Sequence, residues 1–476
     1  MSQIERVIYI ISDIHLGGEP EHGKRGFRIC THEVEVASFI HSLSNLTGPA
    51  VELVINGDLV DFLAERVSET PPHWSSFHYP EQKAVDVLDR IVGRKAFVFD
   101  ALRTFQSKGH RLVILPGNHD IELNLPAVRR RLRHHAGADG PADYEFISNG
   151  EAYRAGDVLI EHGNRVDEMN FVDYQVLRHL CGLLSRGMPV REEFRFEPPA
   201  GSKLVAEVLN DIKKSYSFID LLKPEGEAAF PIILSLEPGR RRELLVIARA
   251  LYKGKERRRQ QLRQYNSDIS AKGDGPSIAD SSNLDSNALE AILLRTVGRA
   301  DFGTPSSDSR CGASAQDISL LNAGGSLISL LMGDKNESWE HRLHDLFDAL
   351  RAFQRENSFD RSVETEKVYI DEAQDLAYGP VRHVVFGHTH RPKQVKLTGG
   401  GYYFNSGTWA DILELPPEVL DSTRRYASIG KLEEFIRDLS RNDFSRYVQF
   451  HPTYVRIEQD SAGNSVTQKL CDYSND

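Results

Sequence analysis

The sequence predicts an α/β fold interrupted by a large, mainly helical insertion. Three observations point there. Up to about residue 165, short apolar runs alternate with amphipathic segments, the pattern of a sheet with helices on its faces. From about residue 170 to residue 375 the strand-like runs cease. They return near residue 381.

The elements follow in order. Val7–Ile11 (VIYII) reads as a buried strand. Glu33–Leu43 carries apolar residues at helical spacing, and Val51–Ile55 (VELVI) is a second strand. Glu81–Ser107 reads as one long amphipathic helix, broken near Gly93. Arg111–Leu115 (RLVIL) is a third strand, with a helix following near Pro126–His135. Asp157–Glu161 (DVLIE) is a fourth strand. In the helical stretch, Ser267–Asn287 and Gly303–Gln316 are rich in small polar residues and read as mobile loops. Val381–Phe386 and Tyr402–Asn405 are strands, and Thr453–Glu458 and Ser465–Leu470 flank DSAGN as a hairpin. The expected division is a core over residues 1–169, a helical insertion over 170–375, and the rest of the core with its terminal hairpin over 376–476.

Composition narrows the function. A chain of 476 residues holds two or three domains at roughly 100–200 residues each. Its net charge of -11 gives no global attraction for nucleic acid or an anionic membrane, although local basic patches escape that argument. Cys30, Cys181, Cys311 and Cys471 lie far apart without CxxC spacing, against a zinc ribbon or a disulfide framework. There is no signal-peptide pattern at the start and no apolar run of spanning length. A soluble, cytoplasmic protein is expected, with peripheral contact at a membrane surface left open.

Five short motifs carry the chemistry. The strands run into Asp13-Ile14-His15, Gly57-Asp58-Leu59-Val60-Asp61, Gly117-Asn118-His119-Asp120, His162-Gly163 and Gly387-His388-Thr389-His390. Ligands of open α/β sheets sit beyond the carboxyl ends of strands, so residues far apart in sequence converge there. Carboxylates mixed with neutral imidazoles suit Mn, Fe or Zn better than Mg or Ca. If Asp13–His15 and His388–His390 are extended, alternation puts both ligands of each pair on one side. Glycines 57, 117, 163 and 387 let the backbone turn and approach closely. No motif is diagnostic alone; their conjunction, in order and at strand ends, is.

These motifs resemble the signature of the calcineurin-like metallophosphoesterase family. The resemblance covers roughly residues 6–166 and 380–410. It implies a β-sandwich of two mixed sheets flanked by helices, and two divalent metal ions, Mn²⁺ before Fe or Zn. By matching position, Asp13, His15 and His390 would hold one metal, Asn118, His162 and His388 the other, and Asp58 would bridge them. A hydroxide activated between the metals would attack a phosphomonoester or phosphodiester, with Asn118 and His119 at the phosphate. His119 would serve the phosphoryl charge or the leaving group, oriented by Asp61. A helix N-cap is the competing role for Asp61.

The substrate is less constrained. His388–Pro392 and Asn405–Trp409 are similar to a bacterial branch that includes UDP-2,3-diacylglucosamine pyrophosphohydrolases. This chain departs from those enzymes in having His119 where they typically have Arg, and in its greater length. Arg391 reads either as a substrate-phosphate contact or as an arginine paired with a carboxylate. Asn405 and Trp409 read as packing at the sheet end; His22 and Arg25 lie in a Gly-rich loop after the first motif, either as plain loop residues or as residues lining the mouth. The basic runs Arg129–Arg131, Arg240–Arg242 and Lys253–Arg263 are either solvated helix faces or polyanion contacts, which keeps a nuclease open. Pyrophosphohydrolysis of a lipid-linked nucleotide also stays open, as does a non-catalytic scaffold whose helical insertion binds a partner.

Overall fold

The computed structural model describes residues 3–20, 26–140, 143–167, 169–223, 225–237, 239, 330, 338–353 and 360–474. His22, Arg25, Arg240–Arg242, Lys253–Arg263 and the two polar loops lie outside the described residues.

The elements begin with β1 (Arg6–Ile11), α1 (Glu33–Ser44) and β2 (Ala50–Asn56). Next come α2 (Glu81–Arg94), α3 (Ala96–Ser107), β3 (Arg111–Leu115) and α4 (Pro126–His135). Three short strands, β4 (Tyr144–Phe146), β5 (Tyr153–Ala155) and β6 (Val158–Ile160), precede α5 (Tyr174–Ser185). Then α6 (Ala200–Leu204) runs through a π turn into α7 (Asn210–Lys213). After β7 (Leu222–Lys223) come α8 (Glu225–Leu236), α9 (Trp339–Phe353) and α10 (Lys367–Leu376). The chain continues with β8 (His383–Phe386), β9 (Lys393–Lys396), β10 (Tyr402–Asn405) and β11 (Ile412–Glu414). It closes with α11 (Arg425–Ser440), β12 (Val448–Gln449), β13 (Thr453–Gln459) and β14 (Ser465–Asp472).

Two compact units result. One comprises Met1–Ser217, Asn357–Asp411 and Phe450–Asp476; the other comprises Phe218–Glu356 and Ile412–Gln449. This division differs from the one expected at residues 169 and 375. Helix α5 packs on α4, and α10 packs on β10, so both belong with the sheets. Amphipathic periodicity shows that a helix buries a face, but not against which element.

The first unit holds two mixed sheets. One has the order β14-β13-β1-β2-β3-β4, the other β5-β6-β8-β10-β9. In the first, β1 to β4 run parallel and the β13–β14 hairpin closes one edge antiparallel. In the second, β6, β8 and β10 are parallel. The sheets share one core. Ile8, Ile10, Val54, Val113, Val455 and Ile457 of the first meet Tyr153, Val158, Ile160, Val385 and Phe404 of the second. Fully burying such side chains contributes about 1.5–3 kcal/mol each. The outer face of the second sheet carries α10, where Tyr369 and Ala373 pack on Val384, Phe386 and Tyr403. Along β1 the alternation is direct: Ile8 and Ile10 face the other sheet, while Tyr9 meets Phe39 of α1.

Glu81–Ser107 is broken into two helices, close to where Gly93 suggested. The break falls at Lys95, which is neither helical nor extended (φ -112°, ψ 32°), and Gly93 stays inside α2. The second unit pairs β11 with β12 and β7, and contains α8, α9 and α11. There Arg425 forks onto the Asp348 carboxylate at 2.5 and 2.9 Å. No helix among the described residues is long and apolar enough to cross a membrane.

Candidate metal centre

The five motifs occupy loops that leave β1, β2, β3, β6 and β8, all in the first unit. The first two loops zip together: the amides of Ile14 and His15 donate to the Asp58 carbonyl at 3.0 and 2.8 Å. Asp120 ties the third loop to the second, its carboxylate accepting from the amides of Gly117 at 2.6 Å and Leu59 at 2.9 Å. The fifth joins the first where the His388 amide donates to Asp13 Oδ2 at 2.9 Å.

The side chains converge in three overlapping groups. Asp13, His15 and His390 form the first, Asp58, His162 and His388 the second, and His15 also stands with Asp61 and His119. Within the first, His15 Nε2 and His390 Nε2 face each other at 3.1 Å, and His390 Nε2 lies 3.3 Å from Asp13 Oδ1. A cation held between two such facing imidazole nitrogens would satisfy the lone pairs of both. Within the second, His162 Nδ1–H donates to the Asn56 carbonyl at 2.8 Å. That leaves Nε2 directed at Asp58 Oδ2, 3.2 Å away. Asp58 Oδ2 is also 3.7 Å from His15 Nε2, so this carboxylate lies between the groups. Asn118 Oδ1 is buried without a hydrogen-bond partner, a cost that a bound cation removes.

The electrostatics match this arrangement. Burial pushes the Asp13 carboxyl up, but the His390 charge and hydrogen bond hold it down at about 2. Burial would lower His162, yet the Asp58 carboxylate raises it to about 9. A cation bound at that nitrogen displaces its proton, because a ligating imidazole is neutral.

Comparison of the chain with protein-family models, curated proteins and solved structures returned no match. The geometry alone therefore speaks for the site.

The ligand loops are not extended, as alternation required. Asp13, His15, Asp58, His388 and His390 all have positive φ, between 51° and 67°. Only Asn149 and Asn442 share that conformation among the remaining described non-glycine residues. Each such residue costs on the order of 1 kcal/mol, and such strain concentrates at functional sites. Both members of each pair still reach the site, through a left-handed turn at each residue instead of a pleat.

Two glycines make room. A Cβ on Gly57, whose φ is +86°, would stand 2.2 Å from His162 Nδ1. One on Gly117 would stand 2.2 Å from Asp58 Oδ1.

His119 and Asp61 form a pair beside the ligands. His119 Nδ1 meets Asp61 Oδ1 at 3.2 Å, and the His119 ring is the more exposed of the two side chains. Asp61 Oδ2 lies 3.5 Å from His15 Nδ1. Burial raises the Asp61 carboxyl, but the His119 charge and the hydrogen bonds of His119 and His15 hold it well below the usual range. Ala64 N–H also donates to Asp61 Oδ1 at 3.1 Å, closing a turn with no helix after it.

The remaining candidates fall elsewhere. Arg391 is buried and ion-paired with Glu366. Asn405 donates to the Gly387 carbonyl at 2.5 Å and to Thr389 at 3.1 Å, bracing the His388 loop. Trp409 does pack, against Phe39 and Tyr473. In the Arg129–Arg131 cluster, Arg131 pairs with Asp89 and Arg129 lies over the Phe146 ring. One contributor escaped the sequence reading: Asp167 Oδ2 meets His388 Nε2 at 2.9 Å and so fixes the orientation of that ring. Its only signal is a polar run, Asn164–Asn170, directly after His162-Gly163.

Proposed function

We propose that this chain is a metal-dependent phosphohydrolase of the calcineurin-like kind, cleaving a phosphomonoester or phosphodiester. The observation that carries the reading is the convergence of the motif side chains around Asp58, one oxygen of which lies 3.2 Å from His162 and 3.7 Å from His15, on a strained backbone. Asp13, His15 and His390 would hold one ion and Asn118, His162 and His388 the other, with Asp58 common to both. The mixed carboxylate, amide and imidazole donors fit Mn²⁺, Fe or Zn. Two such ions, when bound, supply Lewis-acid polarisation of the phosphoryl oxygens and neutralise their charge.

The chain's own groups do the rest. Asp61 engages Nδ1 of His119, which leaves Nε2 as the nitrogen that hands a proton to the departing oxygen. The same carboxylate reaches His15, so the acid and a metal ligand are held by one anchor.

The test is hydrolysis of p-nitrophenyl phosphate and its bis-ester. Activity should vanish on EDTA treatment and return with Mn²⁺. Hydrolysis of neither ester at any metal loading, or full activity in EDTA, would sink the proposal.

A further inference from the structure

Arg391 follows His390 directly, and its surroundings are unusual for a substrate contact. It is 6 % exposed, and its guanidinium meets Glu366. Glu366 occupies the N-cap position of α10, yet its side chain makes no cap hydrogen bond. Its carboxylate meets Arg391 instead. Two residues further on, Lys393 is fully buried. Its ammonium donates to the carbonyls of Asp360 at 2.7 Å and Val363 at 2.8 Å. The Gln394 amide donates to the Arg361 carbonyl at 2.7 Å, and Tyr403 Oη donates to Glu364 Oε2 at 3.3 Å. Residues 360–366 thus form a strap along β9, fastened at both ends, and its last fastening is the residue beside His390.

His390 needs such a fastening. Its left-handed backbone (φ 60°) is one that a free loop would leave. Asn405 braces the loop at Gly387 and Thr389, on the side of His388. We infer that Arg391, held by Glu366, is a positioning residue that fixes His390 as a metal ligand, and that it does not bind substrate phosphate. This inference rests on the dimetal reading of the site.

Titration of the metal-depleted protein with Mn²⁺ by calorimetry tests it. Wild type should bind two equivalents. Arg391→Ala should weaken one of the two by at least about tenfold, the usual size of an effect on a ligand's support, and leave the other unchanged. Glu366→Gln should shift the same equivalent in the same direction. Arg391→Lys, which keeps a cation within reach of Glu366, should recover most of the affinity. At saturating Mn²⁺ the KM of Arg391→Ala for p-nitrophenyl phosphate should match wild type. If Arg391→Ala does not fold, Glu366→Gln carries the test, since glutamine keeps the shape of Glu366 and a hydrogen-bond acceptor for Arg391, and Glu366 is 29 % exposed. Wild-type affinity for both equivalents in both variants would overturn the inference. So would a raised KM with unchanged metal binding, which would make Arg391 a phosphate contact. A wild-type protein that binds no Mn²⁺ would overturn the dimetal reading and this inference with it.

Discussion

Asp58→Asn is expected to cost at least about 10²–10³-fold in kcat/KM on bis-p-nitrophenyl phosphate, with metal content falling in parallel. Asp58 is 1 % exposed, and one of its oxygens lies near both His162 and His15. The other accepts the His119 amide at 2.8 Å. Asparagine keeps the shape but removes an anion and offers N–H groups to nitrogens that must present lone pairs. Circular dichroism should show an intact fold, because the side chain still fills its space. A variant with wild-type turnover would remove Asp58 from the reaction.

His119→Ala is expected to lower kcat by roughly 10²–10⁴-fold while both metals remain bound. The loss should depend on the leaving group. An alkyl ester, whose alkoxide needs a proton, should lose far more than a p-nitrophenyl ester, whose phenolate departs without one. Comparing the two substrates by single-turnover kinetics checks this. His15, Asp61 and His119 also lie close enough to form a ligand group of their own. An equal loss on both esters accompanied by loss of metal would therefore mean that His119 is a ligand and not the acid.

The strands that position the site were legible because they are short apolar runs followed within a few residues by Gly, Asp or His. Val7–Ile11, Val51–Ile55 and Arg111–Leu115 all fall within observed strands. The left-handed backbone at Asp13, His15, Asp58, His388 and His390 was not legible, since Asp and His adopt that region only when their surroundings impose it. Asp167 was missed for a related reason: a lone Asp in a polar loop carries no period or spacing, and its meaning comes from His388, far away in sequence. Arg391 was left between two readings because an arginine after a histidine does not reveal whether a carboxylate will meet it; Glu366 does. The break at Lys95 fell just past the glycine that suggested it, because the helix tolerates Gly93 and turns only where the next one begins.

The most direct test of the central claim is the metal content of the purified protein. The chain would be reconstituted with Mn²⁺, passed through a desalting column and measured by inductively coupled plasma mass spectrometry beside Asp58→Asn. Two ions per wild-type chain and fewer than one in the variant are expected. A wild-type chain that retains no metal, or no more than the variant, would contradict it.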